Sequence, residues 1–366
     1  MILRRVLTAV AVLAIGGSTL MGAASASAAV RMPEGWTAMG ATLPGAVYDM
    51  VRYRGTIYAG GAFDPGLARW DDASASWVTL GSGDARTVRV LAVGPDGTLY
   101  AGGEKPVNGI SVAFVASWQG DGWKDLGVSA PGPAPGNSSV WSMAVDAKGR
   151  IFIGGMFQEI AGVKTSYAAM YDGKGWSGLP GALDAMTPVT ALTTAPDGTV
   201  YIGALVTLNN GLAYAAMLKD GTWSLMSGIN YDCHTLNPCM GILNMTVDAK
   251  GVLRAAGQFA IGPTVTGYAT WNGSTWVAQP AGDMGIGTAI AVDDDGSVFM
   301  CLGNEPGGAR WMVARMGDPV TALGAPGFGN GVYALVVHGG IAYAAFSTTK
   351  PGDSTAPWQV ASYAIP

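Results

Sequence analysis

Val88-Arg89-Val90-Leu91-Ala92-Val93, Pro95-Asp96-Gly97 and Thr98-Leu99-Tyr100-Ala101-Gly102-Gly103 form an apolar run, a glycine turn and a second apolar run ending in paired glycines. After a loop the chain continues Phe114-Val115-Ala116-Ser117-Trp118, Gly120-Asp121-Gly122 and Trp123-Lys124-Asp125-Leu126-Gly127. Short β-prone runs separated by glycine turns read as four antiparallel strands. The pattern is not unique to this stretch. Its first turn recurs as Arg54-Gly55, Asp96-Gly97, Lys148-Gly149, Asp197-Gly198, Lys250-Gly251, Asp295-Gly296 and Gly339-Gly340, seven times at spacings of 42 to 53 residues. A polar residue followed by glycine predicts a tight hairpin turn, which needs a positive φ.

The two ends of the repeat array are complementary. The seventh unit reaches Ile365-Pro366 without a closing tryptophan strand, while Gly35-Trp36-Thr37-Ala38-Met39-Gly40 matches Trp77-Val78-Thr79-Leu80-Gly81. The missing strand is therefore expected from the other end of the chain. Radially repeated four-stranded units of this length define a β-propeller. The sequence predicts an all-β, seven-bladed β-propeller closed by the N-terminal strand of the mature chain. Innermost strands such as Val332-Tyr333-Ala334-Leu335-Val336-Val337 are apolar on both faces, as burial between two blades requires.

The double glycine, followed by an aromatic residue and then a tryptophan, resembles the kelch-type repeat. The best copies are Gly60-Gly61 with Trp70 and Trp77, Gly102-Gly103 with Trp118 and Trp123, and Gly154-Gly155 with Tyr171 and Trp176. The general likeness is to bacterial secreted kelch-like propellers, including the central domain of galactose oxidase. The resemblance implies a fold, and a fold alone does not fix a function. The copper chemistry of that oxidase uses two histidines, two tyrosines and a tyrosine-linked cysteine. It does not carry over, because this chain holds only His234 and His338. No cofactor is expected.

Met1 to Ala28 reads as a signal peptide, with Arg4-Arg5, an apolar run from Val6 to Ile15 and the small-residue site Ala26-Ser27-Ala28. The expected organisation is thus a signal peptide at 1–28 and a propeller at 29–366, secreted and without a membrane span, since no apolar run reaches about 20 residues. The formal charge of −5 argues against nucleic acid as a partner. Only 12% of residues are charged and 56 are glycine, which excludes both a disordered and a mainly helical chain. Cys233 and Cys239 lie in one loop of an exported protein and are expected to form a local disulfide. Cys301, inside Val298-Phe299-Met300-Cys301-Leu302, is expected to be a buried free thiol.

Candidate ligand groups come from two places. Aligning the innermost strands puts Tyr48, Arg89, Trp141, Thr190, Leu243, Thr288 and Tyr333 nearest the mouth of the ring. Asp49, Val90, Ser142, Ala191, Asn244, Ala289 and Ala334 come one step deeper. Aromatics, Arg89 and the polar Asp49, Ser142 and Asn244 then converge on a central pocket, unless the polar groups merely satisfy backbone or water. The second place is the 228–241 loop, which would present Asp232 and His234. The other long loops run 128–139, 156–167 and 347–357.

Chemical signatures are thin. Cys233, His234 and Cys239 lack a fourth zinc ligand, and Asp293-Asp294-Asp295-Gly296-Ser297 coincides with a hairpin turn rather than a calcium loop. No serine-triad motif accompanies His234. Paired carboxylates drawn from Asp64, Glu104, Glu159, Asp184, Asp232, Asp283 and Glu305 are the enzymatic option. The expected function is recognition of a carbohydrate or other small extracellular ligand by a monomer through its loop face. The alternatives are a carbohydrate-active lyase or hydrolase and a cell-surface protein-interaction scaffold.

Overall fold

The computed structural model describes Met32–Pro366 apart from residues 82–85, 130–136, 180–183, 186, 231–240, 281–285, 304–310, 325–327, 329–330 and 348–357. Met1–Arg31 lies outside the described residues, and with it the segment expected to act as an export signal. No helix among the described residues is long and apolar enough to cross a membrane.

Seven antiparallel sheets form the seven blades. Their innermost strands are Val47–Tyr53, Thr87–Val93, Ser139–Val145, Ala191–Thr194, Gly241–Val247, Ile286–Val292 and Val332–His338. Each packs beside the next, and the seventh packs beside the first, so the ring is closed. Blade 7 is built from both ends of the chain: Thr37–Ala38 pairs with Trp358–Ala364 through Thr37↔Ser362 and Ala38↔Ala361. The propeller and its closure are as the repeat predicts.

The paired glycines explain how blades fit against one another. A Cβ on Gly60 would sit 2.6 Å from Val88 Cγ1 of the next blade, and one on Gly102 would sit 2.8 Å from Val140 Cγ1. One glycine in each pair therefore admits the β-branched residue of the neighbouring innermost strand. The second glycine faces backbone: a Cβ on Gly61 or Gly103 would collide with the carbonyl of Ala46 or Thr87. Gly102→Ala is expected to cost about 1–3 kcal/mol by overpacking this seam, read as a lower midpoint in denaturant unfolding. An unchanged midpoint would show that the seam has slack.

The aromatic motif has two jobs. Trp70↔Trp77, Trp118↔Trp123, Tyr171↔Trp176 and Trp271↔Trp276 are cross-strand pairs. Their rings lie 5.1–5.5 Å apart, within the range of favourable aromatic contact. The outer tryptophan also reaches backwards. Trp77 Nε1 donates to Met39 O (2.9 Å), Trp176 Nε1 to Leu126 O (2.8 Å) and Trp36 Nε1 to Leu323 O (2.7 Å). Each bond staples a blade to the outer edge of the blade before it. Trp123 and Trp276 have the same place in their blades, but their buried Nε1 groups lack a partner.

The recurrent turn differs from expectation in five blades. Only Arg54-Gly55 and Gly339-Gly340 are two-residue turns, closed by Tyr53↔Thr56 and His338↔Ile341. The others are longer loops whose aspartates accept from the backbone two residues on. Examples are Thr98 N to Asp96 Oδ1 (3.0 Å) and Thr199 N to Asp197 Oδ1 (2.9 Å). The glycine of all seven turns still has positive φ, 74° to 89°. Asp295 caps its turn in the same way, through Ser297 N at 2.7 Å, so the triple-aspartate run belongs to the fold. Capping holds the Asp197 carboxyl at about 2, with Thr199 contributing most and Lys219 next.

One expectation is corrected. The structure contains no disulfide among the described residues, and its one cysteine there, Cys301, is free and buried. Cys233 and Cys239 lie outside the described residues, as do Asp232 and His234 of the same loop. Burial alone pushes the Cys301 thiol up. The 156–167 loop proves to be partly ordered as a short hairpin, Glu159–Ile160 with Val163–Lys164.

Candidate functional site

Six of the seven innermost strands pair with their neighbour in continuous register except at one residue near the start. The ladder skips between Val47 and Asp49, Val88 and Val90, Val140 and Ser142, Ile242 and Asn244, Gly287 and Ala289, and Val332 and Ala334. The skipped residues are Tyr48, Arg89, Trp141, Leu243, Thr288 and Tyr333. In blade 4, Thr190 stands in the same place, immediately before the pairing begins at Ala191. A bulge leaves its extra residue unpaired and re-aims its side chain. All seven line one central cavity of about 310 Å³, together with Asp49, Ser142 and Asn244. The sequence alignment thus brings its predicted mouth residues together.

The side chains of blades 7, 1, 2 and 3 form a connected arc. Arg89 Nε is 2.7 Å from Glu104 Oε2, and the Arg89 guanidinium lies over the Tyr48 ring, 4.7 Å from its centroid. Ser139 of blade 3 donates its hydroxyl to the same Glu104 oxygen. Burial opposes the charge on Arg89, but the hydrogen bond and charge of Glu104, aided by Tyr48, hold its pKa above the ordinary value. Tyr333, 45% exposed, packs tilted against Trp358 with centroids 5.4 Å apart. Burial, then the neighbouring Tyr48, raises its phenol.

Several polar lining groups serve the ring itself. Asp49 Oδ1 accepts from Met50 N (2.8 Å) and its Oδ2 from Leu91 N of blade 2 (2.8 Å). Burial pushes this carboxyl up to about 7 even though both bonds pull it down. Thr190 Oγ1 donates to Ile242 O (2.6 Å), tying blade 4 to blade 5, and Thr288 Oγ1 donates to Val332 O (2.5 Å), tying blade 6 to blade 7. Ser142 Oγ is buried without a hydrogen-bond partner. Glu104 was assigned to a loop on sequence grounds, but it belongs to the long strand Leu99–Val107, opposite Thr87.

Around the mouth the second and third strands of three blades extend as hairpins: Leu99–Val107 with Ile110–Trp118, Val200–Leu208 with Gly211–Lys219, and Leu253–Ile261 with Thr264–Trp271. Innermost strands start at the mouth, so these connections rise from the same face. Two of them carry exposed apolar residues, Leu212 and Val265. At the opposite face His338 Nδ1 lies 3.0 Å from Asp294 Oδ2. Among the described residues no group of three or more His, Cys, Asp or Glu side chains is placed to hold a metal ion.

A seven-bladed β-propeller with a lined central mouth is the class of protein that this geometry defines. Solved structures with the same fold include virginiamycin B lyase from Staphylococcus aureus (11% identity, TM-score 0.58), covering 90% of this chain and 100% of that one. The GH74 enzyme of Niastella koreensis matches 89% of this chain at 14% identity and TM-score 0.56, and this chain spans 55% of its length. YCF48 bound to a D1 peptide matches at 12% identity and TM-score 0.52, covering 91% and 97% of the two chains. At such identities the likeness is one of fold. No protein-family model matches the chain, and no curated protein matches it either.

Proposed function

We propose that the protein is a secreted, monomeric binding protein with kelch-like blades, exported by its first 28 residues, that recognises a carbohydrate at the mouth of the central channel. One observation carries this reading. The bulges deliver Tyr48, Trp141 and Tyr333 with Arg89, Asp49 and Asn244 to a single cavity of about 310 Å³. Aromatic faces beside a few fixed polar groups, in a cavity of a few hundred Å³, suit a small polyhydroxylated ligand. Recognition is favoured over hydrolysis or lysis because the two carboxylates of this arc are already committed. Asp49 holds two backbone N–H groups, and Glu104 holds Arg89 and Ser139.

Glycan-array binding followed by titration calorimetry tests the reading. Tyr333→Ala and Trp141→Ala are expected to weaken binding at least tenfold with an unchanged melting profile. Leu212→Ser and Val265→Ser at the hairpins are expected to leave it intact. The reverse pattern would move the site to the hairpins and favour a protein-interaction scaffold. Cleaved glycans recovered from the array would replace the binding reading with an enzymatic one.

A further inference from the structure

We infer that the carbohydrate taken at the mouth carries a carboxylate, as a uronate does, and that Arg89 is the group that selects it. The inference rests on the reading of the mouth as a carbohydrate site and adds the ligand's charge.

Arg89 is held ready for such a partner. As the bulged residue of its strand it is turned out of the ladder into the cavity lining. Two contacts fix the guanidinium, Glu104 at Nε and Tyr48 beneath its face, and Ser139 anchors Glu104 from the adjacent blade. The Glu104 ion pair is made through Nε, and no other described carboxylate pairs with Arg89. The Nη edge is therefore left for a ligand. A guanidinium edge offers two parallel N–H donors, which match a carboxylate and no single hydroxyl.

The rest of the lining points the same way. Arg89 is the one cation among the residues that line the cavity. A cationic ligand would have to displace it from the Tyr48 ring. The hydroxyls of Thr190 and Thr288 already donate to backbone carbonyls, so they offer a neutral sugar no free proton. Asn244, the unpartnered Ser142 hydroxyl and the aromatic side chains are left to hold the sugar ring, and Arg89 supplies the discrimination.

The test is titration calorimetry with an oligouronate and with its carboxyl-reduced, neutral counterpart. The wild-type protein is expected to bind the uronate at least tenfold more tightly than the reduced form. Arg89→Gln is expected to abolish that preference, and Arg89→Lys, which keeps the charge without the planar fork, to retain only part of it. The comparison of the two ligands on the wild-type protein does not depend on how either variant folds. Equal affinity for both ligands, lost in Tyr333→Ala, would overturn the inference and leave the carbohydrate reading standing. A preference that persists in Arg89→Gln would remove Arg89 from the role. Binding of neither ligand would overturn the inference, and the glycan array then decides the carbohydrate reading by itself.

Discussion

Replacing Trp36 with alanine is expected to destabilise the protein by about 3–5 kcal/mol, the usual cost of truncating a buried tryptophan. Trp36 is 5% exposed although it belongs to the first described strand region. It packs edge-on against Phe328 (4.9 Å) and tilted on Tyr363 (5.3 Å). Its indole donates to Leu323 O at 2.7 Å. One side chain thus joins the N-terminal strand to blade 6 and to the last strand of blade 7. Truncation opens a cavity at the closure and leaves a buried carbonyl without its donor. Trp36→Phe keeps most of the packing and loses only the staple, so its expected cost is about 1–2 kcal/mol. Urea unfolding of the three proteins measures both. If Trp36→Ala cost no more than an exposed substitution, the closure would not be where the ring holds itself together.

The second large effect is a pH dependence centred on Asp49. Its carboxyl titrates near 3.8 in an unfolded chain and at about 7 in the folded protein, because burial disfavours the charge. Between those values the folded state binds the additional proton. Its contribution to stability is therefore complete below about pH 4 and is lost as pH rises through 7. The whole change is of the order of 4 kcal/mol. The capped turn aspartate Asp197, held at about 2, acts in the opposite sense and at lower pH, so the two windows do not overlap. Asp49→Asn cannot ionise and is expected to show a much flatter profile between pH 4.5 and 7.5 in chemical denaturation. A wild-type slope that survives in Asp49→Asn would assign the dependence to other groups.

The blades were legible in the sequence because their spacing is enforced by contacts that tolerate few residues. The paired glycines recur where one Cβ would strike the next blade and the other the backbone of its own, and the turn glycines recur where φ is positive. Those fixed points set the register of the innermost strands, which is why the mouth residues align in the sequence alone. The link between Arg89 and Glu104 was not legible. It depends on the second strand of blade 2 running on to Val107, past the paired glycines where a loop was expected. Asn108-Gly109, a two-residue turn signal just beyond, marks that extension. The tryptophans were read as markers of the outer strand, whereas their indole staples depend on a carbonyl in a different blade. Pairing between neighbouring blades leaves no periodic trace in a single repeat.

The closure also sets an order of events. Thr37 lies opposite Ser362, and Leu43 opposite Trp358. Thr37–Ala38 leaves the ribosome long before Trp358–Ala364 and must wait, unpaired, until that strand arrives. Until then it is an open β-edge with Trp36 exposed beside it, a template for wrong partners. Joining the ends is a loop closure over nearly the whole chain, the kind of step that makes β-rich topologies slow to fold. Refolding should therefore stall at an open ring of preformed blades. A second chain that offers its own first strand at that moment would exchange ends with it and give a swapped dimer.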